Sequence, residues 1–237
     1  MTDHLAGSPL PDWTAPARPG ADPIEGHYVV LEPLNAEAHA GDLFQAFSAA
    51  DDTLWQFMAH GPFHSAAVFH RWVKDATARS DMVYHALRDT ATGHPGGVAA
   101  FMRITPEHGV IEIGSITLAP QMQRSPAATE AFALMIGWAF DAGYRRVEWK
   151  CDARNTSSRR AAQRLGFSYE GTFRQHMVIK GRNRDTAWFA VTDQDWPALR
   201  EAYGAWLRPG NFDAEGRQIE RLSDMTSLVR VASDPTL

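Results

Sequence analysis

A short segment that opens one predicted helix has the residue types of an anion-binding site. It reads Gln123-Arg124-Ser125-Pro126-Ala127-Ala128-Thr129-Glu130 and follows a β-branched run that ends at Ile116-Thr117-Leu118. The first amide groups of a helix have no partner inside it, and the helix dipole places positive partial charge there, so an anion is the natural ligand. The alternative is an ordinary helix start beside a solvated arginine.

Pro126 changes what this segment can offer. Proline has no N–H to donate, but its fixed φ suits the first position of a helix, where the missing donor had no helical partner. We therefore expect Gln123, Ser125 and the amides of Ala127 and Ala128 to form the anion site. Arg124 can add a charge-assisted hydrogen bond that compensates for the missing amide.

Two glutamates in predicted strands have the chemistry of a general base. Glu112 lies in the otherwise apolar run 111–114, where burial raises the pKa of a carboxyl group and suits it to accept a proton near neutral pH. Glu148, in the strand 145–152, is the second candidate. Each has a structural alternative, since Glu112 can pair with a neighbouring basic residue and Glu148 can be neutralised by Lys150.

A second helix start combines an amide, a hydroxyl and two cations. Asn155 can cap the helix that runs to Arg164, and this cap alone stabilises by about 1 kcal/mol. Ser158 carries a hydroxyl that donates as well as accepts hydrogen bonds. Arg159 and Arg160 can bind an anion or remain solvated.

The patterns along the chain predict the element order β-α-α-β-β-β-α-β-α-β-β. We expect a mobile arm over residues 1–23, one domain over 24–196, and a helix with a tail over 197–237. The aromatic loop 51–63 either packs under the sheet or lines a ligand pocket. These alternatives stay open at this point.

The composition argues against several classes of protein. A net charge of −5 with a pI near 6.0 lacks the basic surface that direct nucleic-acid binding needs. Cys151 is the single cysteine, so no intrachain disulfide forms and a reducing cytoplasm fits best. The histidines have no metal-ligand spacing, and we expect no metal. The sequence also has no long apolar run, so we expect no membrane association.

The order of the motifs resembles the GNAT superfamily of acetyl-CoA-dependent N-acetyltransferases, and within it the branch similar to the RimJ/RimL ribosomal-protein acetyltransferases. The resemblance covers roughly Gly26 to Trp196. It rests on five motifs in this order. They are an opening motif of Gly26, Val29, Leu31, Pro33 and Leu34, then Glu112-Ile113-Gly114, Gln123 to Ala128, Asn155 with Ser158, and Leu165-Gly166-Phe167. The sequence departs from the family in having Pro126 at a glycine position and Ala162 where many members have tyrosine.

The resemblance implies an α+β fold with a mixed, mostly antiparallel sheet, flanking helices and a splay at the central parallel strand pair. It implies acetyl-CoA as cosubstrate, with its pyrophosphate at Gln123, Arg124, Ser125, Ala127 and Ala128. By the same resemblance, the backbone amide near Leu118 polarises the thioester carbonyl. Asn155 binds the pantetheine arm or a water molecule, Ser158 holds the departing sulfur, and Arg159 and Arg160 either reach the adenosine 3′-phosphate or remain solvated.

The function implied is transfer of an acetyl group directly to an amine of a protein N-terminus or a small molecule, with Glu112 or Glu148 as the base. The net acidity weakly favours a cationic acceptor. Two alternatives stay open: an acyl-CoA-binding module without turnover, which Pro126 and Ala162 suggest, and a cleft that serves an unrelated amine-containing ligand. A homodimer is left open as the assembly.

Overall fold

The computed structural model describes residue 7 and residues 9–237. The strands are β1 (Ile24–Glu25), β2 (Val29–Pro33), β3 (Met82–Asp89), β4 (Pro95–Thr105), β5 (Val110–Leu118), β6 (Arg146–Asp152), β7 (Ser168–Ile179) and β8 (Arg182–Thr192). The helices are α1 (Ala36–Phe47), α2 (Ala66–Thr77), α3 (Pro126–Asp141), α4 (Thr156–Arg164), α5 (Trp196–Trp206) and α6 (Leu222–Thr226). None of these helices is both long and apolar enough to cross a membrane.

The strands form one eight-stranded sheet in the order β1-β2-β3-β4-β5-β6-β8-β7. Every neighbouring pair is antiparallel except β5 and β6, which are joined by α3 and run parallel. The mixed α+β class, the mostly antiparallel sheet and the central parallel pair confirm the predicted fold. Lys180 and Gly181 form the turn between β7 and β8, and both have positive φ, as a two-residue hairpin turn requires.

The helices divide unequally between the two faces of the sheet. Helices α3, α4 and α5 cover one face and share its core with residues such as Phe101, Ile111 and Phe189. Helices α1 and α2 cover β3 and β4 on the other face, where Tyr84 and Ala100 are buried. The remaining half of that second face belongs to β5, β6 and β8. We call it the polar face, because strand alternation turns charged side chains toward it.

The parallel pair separates along its length. Backbone pairing joins residues 110–112 to residues 146–148 and stops at Glu112 and Glu148, although both strands continue. Beyond this point β5 and β6 diverge, as the family resemblance implies. The two candidate bases therefore lie at the point where the strands begin to separate.

A bulge in β5 accounts for the separation. Gly114 pairs with Ala100 of β4 and Thr117 pairs with Val98, so two residues of β5 lie opposite one of β4. Ser115, within the bulge, has a φ of 51°. Because a bulge bends its strand and increases its twist, the second half of β5 turns away from β6.

The described part of the N-terminal arm contacts the domain at several points. Trp13 lies 5.5 Å from the guanidinium of Arg145, and the hydroxyl of Tyr144 donates to the Ala17 carbonyl at 3.1 Å. Arg18 donates to the carbonyl of Ser80 at 3.1 Å. The side chains of Trp13 and Arg18 thus attach residues 9–23 to the domain, while residues 1–6 and 8 of the expected arm lie outside the described residues. The domain boundaries themselves stay a prediction.

Candidate active site

Glu112 and Glu148 form one buried charged cluster with Lys150. The Nζ of Lys150 lies 3.1 Å from Oε2 of Glu112 and 2.6 Å from Oε2 of Glu148. The side chains of Glu112, Glu148 and Lys150 are 2%, 11% and 6% exposed. The strand register explains the contact, because Glu112 pairs with Glu148 across the parallel ladder and Lys150 follows two residues later on the same face.

Glu112 is the more deeply buried of the two glutamates. Burial raises the pKa of its carboxyl group, and the charges of Arg103 and Lys150 only partly oppose this effect. Nη1 of Arg103 donates to both carboxylate oxygens, at 2.7 and 2.8 Å. Gly114 leaves space for the carboxylate, since a Cβ there would lie 3.1 Å from Oε1 of Glu112.

Glu148 has the opposite electrostatics. Burial alone would raise the pKa of its carboxyl group, but hydrogen bonds from Lys150 and Arg146 outweigh burial and lower it. Nε of Arg146 donates to Oε1 of Glu148 at 2.9 Å, and its Nη1 donates to Glu170 at 2.7 Å. Glu148 is therefore a charged member of an ion-pair chain, and the structure brings it together with the neighbour that the sequence suggests.

The start of α3 keeps only part of the expected set of anion donors. Ser125 caps the helix through its Oγ, which accepts the Ala128 N–H at 3.0 Å. The Ala127 N–H makes no hydrogen bond among the described residues, and Pro126 occupies the first helical position. The Ala127 N–H is therefore available to an anion, whereas the N–H of Ala128 already has a partner.

Two long side chains precede this helix. Arg124 is exposed and adopts a left-handed φ of 61°. Gln123 donates its side-chain amide to the carbonyl of Leu118 at 2.9 Å, at the end of β5. Leu118 and Gln123 are thus in contact, and Arg124 stands beside them with its side chain in solvent.

The start of α4 lies beside the end of β6. Asn155 caps the helix, its Oδ1 accepting the Ser158 N–H at 3.1 Å. The Ser158 Oγ accepts the indole N–H of Trp149 at 2.9 Å, which leaves its O–H to donate. Cys151 lies next to this hydroxyl, and burial raises the pKa of its thiol to about 11, so Cys151 is a buried thiol and no nucleophile.

Arg159 is occupied within the chain. Its Nε donates to Oδ2 of Asp234 at 2.7 Å and its Nη1 donates to the carbonyl of Ala153 at 2.9 Å. Asp234 is fully buried and also accepts the N–H and Oγ1–H of Thr236. Arg159, which was expected to bind the 3′-phosphate, is therefore held by the C-terminal segment. The two residues of this ion pair are seventy-five positions apart, so the local sequence could not reveal it.

The polar face contains residues that the sequence reasoning did not select. Arg103 reaches Glu112 from β4, where its φ of 46° marks an irregular backbone. Lys180, in the β7–β8 turn, donates to the carbonyls of Trp55 at 3.2 Å and His60 at 3.1 Å. This contact joins the hairpin to the loop 51–63 at the side of the polar face. A lysine at a turn is common, so no sequence signal distinguished it.

The aromatic residues of the loop 51–63 pack on one another and on aromatic residues of α1 and α2. Trp55 is buried in edge contact with Phe47 and Phe63, at ring distances of 5.5 and 5.1 Å. His60 lies 4.4 Å from the ring of Trp72, and burial lowers its pKa to about 4. The loop is thus a packed wall attached to α1 and α2.

Comparison with known proteins gives consistent relatives. The model of the acetyltransferase (GNAT) domain matches residues 29–168. The chain is 49% identical to a GCN5-related N-acetyltransferase from Brucella melitensis, with a TM-score of 0.90 over 92% of this chain and 100% of that one. It is 38% identical to a probable GNAT-family acetyltransferase from Chromobacterium violaceum ATCC 12472, with a TM-score of 0.77 over 81% of this chain and 97% of that one.

A more distant structure shares the fold alone. It is an acetyl transferase from Salmonella typhimurium that modifies the N-terminal serine of the 50S ribosomal subunit protein L7/L12, 20% identical over 72% of this chain and 99% of that one, with a TM-score of 0.62. Comparison with curated protein sequences gave no match. The domain model matches more than half of this chain, and two solved relatives are more than 30% identical to it. The chain therefore belongs to the GNAT acetyltransferase family.

Proposed function

We propose that this protein transfers an acetyl group from acetyl-CoA directly to an amine of a protein N-terminus or a small molecule. The observation that carries the proposal is the buried Glu112 carboxylate at the point where β5 and β6 separate. An ammonium group must lose its proton before it can attack, and a carboxylate with a raised pKa is suited to accept it. When bound, acetyl-CoA supplies the activated acetyl group.

Several described groups fit such a cosubstrate. The second half of β5 has no backbone pairing to β6, so its edge can bind an extended arm through main-chain hydrogen bonds. The free N–H of Ala127 and the exposed Arg124 stand at the end of β5 and can hold a pyrophosphate. Asn155 caps the neighbouring helix, and its amide N–H group can reach the same arm.

The base in this proposal is Glu112. The amine nitrogen bonds to the acetyl carbon, the carbon–sulfur bond breaks, and the proton that nitrogen loses passes to Glu112 directly or through one water. Glu148 is the weaker candidate, because its lowered pKa makes it a poorer proton acceptor. Glu148 instead pairs with Lys150 and thereby reduces the effect of the lysine charge on the pKa of Glu112.

Ser158 is our candidate for the group that assists the leaving thiol. Its Oγ accepts from Trp149 and keeps its own proton to donate. Ala162 is buried and offers no hydroxyl, so this chain cannot use the tyrosine that many relatives of this family carry there.

The RimJ/RimL-like branch, the acceptor class and a cytoplasmic location are parts of the same proposal. The motifs suggest the branch, and the ribosomal-protein enzyme from Salmonella typhimurium supports it only through a shared fold. A protein N-terminus and a small-molecule amine are both compatible with the polar face.

Release of free CoA tests the proposal against a binding module without turnover. The protein is incubated with acetyl-CoA and a panel of amines and N-terminal peptides, and free thiol is followed over time. We expect acceptor-dependent release together with a thermal shift by acetyl-CoA, because a ligand that binds only the native state stabilises it. A thermal shift without release across the panel favours the module, and the absence of both rejects the two functions together.

A further inference from the structure

Arg184, on the polar face, has no carboxylate partner among the described residues. Arg184 and Trp188 of β8 alternate with residues such as Phe189, which lies in the core on the opposite face. The buried Nε of Arg184 has no hydrogen-bond partner among the described residues, and no salt bridge involves this side chain. Burial lowers the pKa of the guanidinium, with a further contribution from the charge of Arg103.

The two carboxylates whose charges act on Arg184 are engaged with other cations. Glu112 pairs with Arg103 and Lys150, as described above. Asp152 pairs with Arg154, whose Nη2 lies 2.9 Å from its Oδ2. The charges of Glu112 and Asp152 both oppose the lowering of the Arg184 pKa, yet neither carboxylate forms an ion pair with Arg184 among the described residues. A buried donor without a partner is costly, so a ligand that supplies the acceptor atoms is favoured.

A second orphaned donor lies on the same strand face. The indole N–H of Trp188 is buried and has no partner among the described residues. Its ring is 4.5 Å from that of Phe173 and 3.7 Å from the Nζ of Lys150. Lys150 in turn contacts Glu112, so the Trp188 indole belongs to the surroundings of the proposed base, and the charge of Glu112 also acts on Arg184.

We propose that Arg184 binds a carboxylate group of the acceptor, so that the substrate of this enzyme is an amine that also carries a carboxylate. This inference rests on the proposed function, and it names the acceptor class for that same site. A guanidinium presents parallel donors that match a carboxylate, and the pair is stronger where water is partly excluded. The negative net charge of the chain attracts cations at long range. It does not oppose this proposal, because Arg184 binds the carboxylate by direct contact.

Matched acceptors test this proposal in the unmodified protein. Free amino acids are compared with their amides, and N-terminal peptides with an aspartate near the amine are compared with the same peptides carrying asparagine. We expect kcat/KM to favour the carboxylate of each pair by at least about tenfold, which corresponds to one charge-assisted interaction. Whichever of the two comparisons shows the preference identifies the acceptor as a free amino acid or as an acidic peptide. Equal rates for acid and amide in both arms overturn the proposal.

Variants then locate the effect. Arg184→Gln should abolish the preference, raise KM for the carboxylate acceptor about tenfold and leave KM for acetyl-CoA unchanged. Arg182→Gln, an exposed arginine on the same strand, is the matched control and should change neither value. Arg184→Lys keeps the charge and guards against a folding defect, and it should retain part of the preference. An increase in KM for acetyl-CoA instead would assign Arg184 to the cosubstrate and overturn the proposal.

Calorimetry separates this inference from the proposed function. Binding of the carboxylate-bearing amines and of their amides is measured in the presence of CoA, without turnover. Preferential binding of the acid that Arg184→Gln removes supports the carboxylate site even if no acceptor is acetylated. Equal binding of acid and amide rejects the site even if acetyl transfer occurs.

Discussion

Glu112 and Glu148 face each other across the last pair of the parallel ladder, and the Nζ of Lys150 contacts both carboxylates, at 3.1 and 2.6 Å. The arrangement is asymmetric. Burial dominates at Glu112 and raises its pKa, whereas hydrogen bonds from Lys150 and Arg146 outweigh burial at Glu148 and lower its pKa. Two glutamates with opposite shifts suit different roles, proton acceptor and fixed charge.

Glu112→Gln should lower kcat about 100-fold at neutral pH while acetyl-CoA binding stays intact, because it removes the proposed base. The wild-type rate should fall as the pH drops through the raised pKa of Glu112, since a protonated carboxyl group cannot accept a proton. The variant should lose this acid-side fall in a kcat-against-pH profile. Glu148→Gln is the control and should retain it. An unchanged profile in Glu112→Gln would remove Glu112 as the base.

Lys150→Met should move the acid-side fall of the rate to higher pH. The lysine charge opposes the effect of burial on Glu112, so its loss raises the pKa of that carboxyl group further. The pH–rate profile of the variant gives the shift directly. Lys74→Met, on the exposed side of α2, makes the same substitution away from the site and should leave the profile unchanged. A shift to lower pH would contradict the electrostatic role of Lys150.

Asp234→Asn should destabilise the protein by about 3 kcal/mol at neutral pH, because it leaves the Arg159 guanidinium without its buried partner. Burial would raise the pKa of Asp234, but hydrogen bonds from Arg159 and Thr236 outweigh it and lower the pKa. The stabilisation is therefore present above the ordinary aspartate pKa of 3.8 and is lost as the pH falls through the lowered value.

Urea unfolding at several pH values measures this effect. The wild type should lose stability on acidification more steeply than Asp234→Asn, which has no carboxyl group to protonate there. Asp141→Asn removes an exposed carboxylate that pairs with Arg200 and serves as the control, with an expected change below about 1 kcal/mol. Equal acid slopes in wild type and Asp234→Asn would show that the pair does not contribute to folding.

Pro126→Ala should lower KM for acetyl-CoA about threefold, because it adds an N–H beside that of Ala127 at the proposed pyrophosphate site. The same change should cost about 0.5–1 kcal/mol of stability, since proline restricts the unfolded chain. Steady-state kinetics with acetyl-CoA and with acetyl-pantetheine, which has no pyrophosphate, form the matched comparison. An equal gain with both cosubstrates would place the effect elsewhere than at the pyrophosphate.

Patterns that depend on neighbouring residues allowed much of the fold to be predicted. The hydrophobic periodicity located the strands and helices, and the N-caps Ser125 and Asn155 form the local hydrogen bonds that their positions suggest. The helix between β5 and β6 indicated the parallel pair, because a crossover is needed to join parallel strands. The contact of Glu148 with Lys150 also follows from strand alternation alone.

Contacts between distant segments could not be read in the same way. Residues 9–23 look too polar and too rich in proline to pack, yet Trp13 and Arg18 attach them to the domain. The pairing of Arg159 with Asp234 joins α4 to the last residues of the chain. The sequence contains several charged residues that could equally form such a pair. Only the folded geometry determines which of them are close enough to do so.

Sequence patterns alone indicated the family resemblance, the order of the elements from β2 to α5 and a carboxylate in an apolar strand, but not β1 or α6. The folded structure was needed to show that Arg103 and Lys150 both contact Glu112, that the N–H of Ala128 is used by its own cap, and that the Nε of Arg184 has no partner in the described part of the chain. The physical reason is that periodicity and capping act over a few residues, whereas burial and the sharing of charge depend on which strands meet in the sheet.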